Sequence, residues 1–243
     1  AVASRRLNDR RSLLKTINRY EQSAITQANQ GARAMRTYQE KAFELMTSEA
    51  TKAAFDIHSE PEVVREKYGR NMLGQSCLMA RRLIEAGVRC AFVNHIDWDT
   101  HYNNFHVLKN ELLPKLDAAM SSLLADLEDR GMLDSTMVLV TGEFGRTPLG
   151  ENRGGNKQNT GRDHHPYAYS LWMAGGGIKG GQVVGKTDDI GWAPVEDAVH
   201  VNDFHATTLK LFGFDHHRLV HEFKGLNVRL TDQGGKVVEK LIS

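Results

Sequence analysis

The sequence predicts an α/β fold: a mostly parallel sheet with helices on both faces, in the manner of a sandwich, preceded by a helical N-terminal segment. Three observations predict it. From Gly74 onward, helical patterns alternate with short apolar runs rich in β-branched residues. The run at residues 136–141 (TMVLVT) is continuous rather than alternating, which suits a strand covered on both faces. Strands separated by helices imply crossover connections, and these produce parallel neighbours.

The elements follow in order. Residues 1–73 read as a helical segment. Its first stretch carries Arg5, Arg6, Arg10, Arg11, Lys15 and Arg19, with Leu7, Leu13, Leu14, Ile17 and Tyr20 near helical spacing. That basic run can meet an anionic partner, but a solvated helix face explains it more simply. A second helical pattern holds Tyr38, Phe43, Leu45, Met46 and Phe55, and Ser59-Glu60-Pro61 is a helix start. Residues 74–243 form the α/β part. Gln75 opens a helix that Gly87 stops, and residues 88–94 read as a first strand. Residues 106–130 are the clearest helix, with Leu108, Leu112, Leu113, Leu116, Leu123 and Leu127 among the apolar residues on one broad face. Residues 136–141 and 167–174 are the next strands, and Asp203 is expected to cap a helix that ends before Gly213.

Composition narrows the function classes. Among 243 residues, 40% are hydrophobic and 25% charged, which argues against a wholly disordered chain. Lys plus Arg is 31 and Asp plus Glu is 30, a net charge of +1, so a strongly basic nucleic-acid binder is not expected. No apolar run is long enough for a membrane span. Cys77 and Cys90 cannot build a disulfide framework or a cysteine zinc site. The chain opens Ala1-Val2-Ala3-Ser4 with no export signal following, so it is expected to be processed or to be a piece of something longer.

Polar clusters flank the strands. After the first comes His95-Ile96-Asp97-Trp98-Asp99-Thr100-His101; after the second, Gly142-Glu143-Phe144-Gly145-Arg146-Thr147; before the third, Gly161-Arg162-Asp163-His164-His165-Pro166. In open α/β sheets ligands bind outside the carboxyl ends of strands. His95, Asp97, Asp99 and His101 are spaced by two, so an extended backbone turns all four to one side. Carboxylates with imidazoles are a common ligand set for divalent metals. The simpler alternative is that Asp99 caps a turn and His101 bonds to backbone. Glu143 and a histidine at similar strand ends favour the metal. Arg146 can grip an anionic substrate bidentately, or can pair with Glu143. Pro166 biases His165 to extended backbone, so the two histidines diverge and His164 is the expected ligand. His216, His217 and His221 read as surface residues. The glycines from Gly175 to Gly181 lack the Gly-Lys-Ser/Thr ending of a phosphate loop.

Several of these stretches carry a resemblance. Trp98-Asp99-Thr100-His101-Tyr102-Asn103-Asn104, Thr141-Gly142-Glu143-Phe144-Gly145-Arg146-Thr147-Pro148, Gly161-Arg162-Asp163-His164, residues 174–181 and Asp203-Phe204-His205-Ala206-Thr207 occur in this order. From about Arg5 to its end the chain resembles the sulfatase-like proteins of the alkaline phosphatase superfamily, bacterial proteins often grouped as a domain of unknown function. The resemblance implies an alkaline phosphatase-like sandwich, a metal-dependent hydrolase and a periplasmic or extracellular location. It implies one metal on Asp99, His101 and His164, with Asp97 as an alternate ligand. It puts Glu143 at a neighbouring metal, where Phe144 stands in place of the usual histidine. The superfamily's Ser, Thr or Cys nucleophile lies after a first strand, and nothing before Gly74 reads as that strand. The chain is therefore expected to be the C-terminal part of a larger domain.

The resulting expectation is hydrolysis of a sulfate or phosphate ester. A divalent metal (zinc, calcium or magnesium) would polarise the ester and Arg146 would hold the anion. The rival expectation is a non-catalytic module that keeps the fold and binds an anionic glycan or a partner protein.

Overall fold

The computed structural model describes residues 4–20, 30–152, 160–231 and 234–243. Helices α1 (Ser4–Tyr20), α2 (Gln30–Thr47), α3 (Glu49–Phe55), α4 (Glu62–Tyr68) and α5 (Met72–Glu85) carry the first part of the chain. Of the apolar stripe read in α1, Leu13 and Leu14 are exposed. The side chains of Arg5, Leu7, Lys15, Ile17, Arg19 and Tyr20, and of Leu45 and Met46, lie outside the described ones. The Arg11 guanidinium stands 4.3 Å over the Phe43 ring, so this basic residue covers an aromatic of α2. Helix α5 begins at Met72 rather than Gln75. Gly74 lies inside it because a Cβ there would sit 1.9 Å from the Tyr68 carbonyl oxygen. The helix stops at Gly87 (φ +92°), where Val88 N–H donates to Leu83 O at 3.0 Å.

Two compact units divide the chain: Ala1–Glu66 with Gln75–Val93, and Lys67–Gly74 with Asn94–Ser243. An ion cluster holds the first. Arg81, 1% exposed, places Nη2 2.9 Å from Glu60 Oε1 and Nη1 2.6 Å from Glu85 Oε2. Arg82 pairs with the same Glu60 oxygen. It also donates to Ala54 O (2.9 Å) and Ala53 O (2.6 Å), satisfying carbonyls at the end of α3.

The second unit holds α6 (Asn104–Val107), a π-helical turn (Leu108–Leu112) and α7 (Leu113–Asp129). The sequence predicts one helix over 106–130. The irregular turn arises beside Pro114, which has no N–H to return to the Asn110 carbonyl. The buried face is narrower than the leucine pattern suggests: Leu112, Ala119, Leu123 and Leu127 are buried, while Leu113 is exposed. This face meets segment 67–74. The Tyr68 hydroxyl donates to Asp126 Oδ2 (2.9 Å) and Ser122 Oγ to Lys67 O (2.8 Å).

The predicted mostly parallel sheet with helices on both faces, the alkaline phosphatase-like sandwich, is not what the described residues form. Their sheets are two-stranded and antiparallel: β1 (Val138–Val140) with β4 (Trp172–Ala174), β2 (Gly145–Glu151) with β3 (Gly161–His165), β5 (Lys186–Thr187) with β6 (Pro194–Glu196), and β7 (Val220–Phe223) with β8 (Leu226–Arg229). The reasons lie in the apolar runs. Residues 88–94 form no strand, and Phe92 is 90% exposed. Within β1 only Val138 is buried, whereas a strand inside a parallel sheet is covered on both faces. The strand read over 167–174 shortens to three residues and ends at Gly175, Gly176 and Gly177, all at positive φ. Gly176 N–H turns back to Leu133 O (2.9 Å), so these glycines bring backbone against backbone.

Near the C-terminus α8 (Val201–Leu211) is capped by His200, not Asp203. Asp203 stands at the third helical position, where Oδ2 accepts from His200 N–H (3.0 Å) and Oδ1 from Lys236 N–H (2.7 Å). His216, read as a surface residue, is buried with Nδ1 3.0 Å from Thr231 Oγ1. No described helix is long and apolar enough to cross a membrane.

Candidate metal centre

The β2–β3 hairpin sets the site's geometry. Opposed residues of an antiparallel ladder share a face, and the register pairs Arg146 with His164 and Gly145 with His165. Successive residues of β3 point to opposite faces. His165 is accordingly buried, with Nε2 2.6 Å from Trp192 O. His164 stays exposed on the Arg146 side.

Segment 98–104 lies along β3. Arg162 N–H donates to Thr100 O (3.2 Å) and Asn104 N–H to Thr160 O (3.2 Å). Thr100 is buried, and its hydroxyl accepts from Asn104 Nδ2. Gly161 makes the approach possible, since a Cβ there would lie 1.9 Å from the His101 carbonyl.

That docking gathers three side chains on one carboxylate oxygen of Asp99. Asp99 Oδ1 is 3.0 Å from His101 Nε2, 2.9 Å from His164 Nε2 and 2.6 Å from Arg146 Nη2. Asp99, His101 and His164 each offer a ligand atom within 4.8 Å of the others. Donors bonded to one ion at about 2.0–2.1 Å stand about 2.8–3.4 Å apart for bond angles of about 90–109°. The two Asp99–histidine separations fall in that interval. Arg146 is held in place by Arg162 O (3.1 Å) and Trp98 O (3.2 Å). The hydrogen bond from His164, then that from Arg146, holds the Asp99 carboxyl well below the usual carboxylate range although the side chain is 65% exposed.

Residues 1–242 match the family described as "Protein of unknown function (DUF1501)". The chain belongs to this DUF1501 family. The match carries no link to the alkaline phosphatase superfamily. Comparison with curated proteins and with solved structures finds no match.

Two of the acidic residues expected in the centre of this DUF1501 chain stand apart from it. Glu143 is exposed in the turn before β2 and joins neither of the metal-competent groupings among the described residues. Asp97 has φ +76°, a conformation Asp tolerates better than most residues. That torsion ends the alternation that would have aligned His95 and Asp97 with Asp99 and His101. Turn bonds follow it, Thr100 N–H to Trp98 O (2.9 Å) and His101 N–H to Asp99 O (3.2 Å). His95 instead accepts from Trp98 Nε1 at 3.0 Å.

Conversely, two acidic residues outside the expected set reach His101. Glu151 Oε2 is 2.6 Å and Asp163 Oδ1 3.8 Å from its Nδ1. Asp163 sits within the Gly161-Arg162-Asp163-His164 motif, which was a signal. Glu151 had none. An odd offset from Arg146 puts it on the opposite face of a regular strand, and the ladder is irregular between Arg146 and Gly150.

Proposed function

We propose that this protein is a divalent-metal-dependent hydrolase of anionic esters, sulfate or phosphate, with Asp99, His101 and His164 as the metal ligands. The observation that carries the reading is the convergence of these ligand atoms, from a turn and a separate strand, beside the Arg146 guanidinium. Two imidazoles and one carboxylate suit zinc or another imidazole-binding metal better than calcium or magnesium, which favour all-oxygen sites. Such a cation, when bound, supplies charge that polarises the ester and stabilises the leaving oxygen. The chain's own residues hold and orient. Three N–H donors of Arg146 serve Asp99 and two carbonyls. A guanidinium has five, so among the described residues Nε–H and one Nη1–H are left, on different edges, and either can donate singly to a tetrahedral anion. The motif-level likeness to sulfatase-like proteins points to the same chemistry and to a periplasmic or extracellular location.

Phe144 favours a second reading. It stands where the resemblance expects a metal-binding histidine, and its ring covers that of His164 at 4.1 Å. A non-catalytic module binding an anionic glycan or a partner protein would tolerate that substitution. The test is zinc titration of the purified chain, followed by assay of aryl sulfate and aryl phosphate with and without the metal. One equivalent of zinc bound, lost in His164→Ala, with metal-dependent turnover, is the expected result. Zinc and anionic glycan binding without turnover would support the second reading. Zinc binding unchanged in both His101→Ala and His164→Ala would overturn the site.

A further inference from the structure

Resting on the cation site proposed above, we infer that Glu151 is a positioning residue for His101, fixing the ring tautomer that turns Nε2 toward the metal. Glu151 Oε2 and His101 Nδ1 are 2.6 Å apart, a charge-assisted hydrogen-bond distance. The separation is too short for two ligands of one ion at bonds of about 2.0–2.1 Å, which need about 2.8 Å or more. The Glu151–His101 contact is therefore read as a hydrogen bond, although His101, Glu151 and Asp163 also bring their ligand atoms together. Asp163 is not the partner. Its Oδ1 is 3.8 Å from the ring nitrogen and instead accepts from the His164 N–H at 2.7 Å.

With Nδ1–H donated to Glu151, a neutral ring presents only a lone pair at Nε2. That lone pair would face the Asp99 carboxylate oxygen at 3.0 Å. Two acceptors at that distance repel unless a proton or a cation lies between them. A metal ion there would satisfy both. Glu151 keeps the proton on Nδ1 and holds the ring plane toward Asp99 and His164. The fold builds this contact. Glu151 lies opposite Gly161 in the ladder, and Gly161 has no side chain to keep His101 away.

The test compares wild type, Glu151→Gln, Glu151→Ala and Asp163→Asn for zinc affinity, by chelator competition, and for the His101 tautomer, by nitrogen-15 NMR of the zinc-bound protein. Wild type should show a single tautomer, with zinc on Nε2 and a proton on Nδ1 slow to exchange. Glu151→Ala should bind zinc about 10–100-fold more weakly and lose the protected Nδ1 proton. Glu151→Gln, which still offers an acceptor oxygen, should fall between them, and Asp163→Asn should keep the wild-type tautomer. The Gln variant preserves shape, so its result stands even if the Ala variant folds poorly. Wild-type affinity and tautomer in both Glu151 variants would overturn the inference and leave the cation site intact. No zinc binding by wild type would overturn the site and, with it, the role of Glu151.

Discussion

At the scale of residues, Arg146 decides whether the cluster can hold an anion. Its guanidinium spans two carbonyls and the Asp99 carboxylate, so its plane is fixed before any ligand arrives. A hydrogen bond to a charged group is worth about 1.5–3 kcal/mol, so Arg146→Ala should weaken sulfate or phosphate binding about 10–100-fold. Arg146→Lys should not restore it, because an ammonium cannot bridge three fixed acceptors and an anion as a planar fork does. Calorimetry with either anion in the presence of zinc measures this, and full recovery by lysine would count against an oriented guanidinium. Thiol reactivity gives a second expectation. Cys77 is buried, and burial pushes its thiol up to about 11, while Cys90 is exposed. In the native protein at pH 8 a disulfide reagent should therefore titrate Cys90 alone, and release of Cys77 should await denaturation. Both thiols reacting at equal rates would contradict the packing around α5.

At the scale of elements, packing on α7 and the close approach at Gly161 make separate predictions. Leu123 and Leu127 are buried on one face of α7, so Leu127→Ala should cost about 2–5 kcal/mol in urea unfolding. Leu113→Ala, on the exposed side, should cost far less. Equal effects would mean the buried face is assigned wrongly. Gly161→Ala puts a methyl into the His101 backbone, so segment 98–104 must move. It should lose zinc binding while the apolar packing around Leu127 persists. These elements also show what the sequence could reveal. The glycine stop at Gly87 and the divergence of His164 from His165 were legible, because each follows from local backbone chemistry, and the leucine pattern marked Leu112, Leu123 and Leu127, which are buried. The antiparallel pairing was not legible. An apolar run such as 136–141 marks a strand and says nothing of how deeply it is covered, which strand will lie beside it, or in which direction. Nor could spacing by two foresee Asp97, since a single positive φ undoes the alternation.

At the scale of the whole molecule, stability should depend on acid through Glu60 far more than through Asp99. Burial opposes ionisation of Glu60, but the hydrogen bonds and charges of Arg81 and Arg82 outweigh it, and its pKa lies below the ordinary value. Asp99 is also lowered, by His164 and Arg146, yet it is largely exposed and its pairings are screened by solvent. For a carboxyl whose folded pKa is depressed, the stabilisation is present above the unfolded value, about 4.3 for Glu. It is lost as pH falls through the folded value. The Glu60 contribution should therefore persist from pH 7 to about pH 5 and be lost progressively below about pH 4.3. Removing one partner of a buried pair costs about 3–5 kcal/mol, so Glu60→Gln should be destabilised by that order at pH 7. Its stability should then change less than that of wild type between pH 5 and pH 3, because the titrating group is gone. Asp99→Asn should follow the wild-type acid profile in the metal-free protein. Urea unfolding at pH 7, 5, 4 and 3 separates these cases. A Glu60→Gln profile parallel to wild type throughout would show that the Glu60–Arg81–Arg82 cluster does not drive acid unfolding.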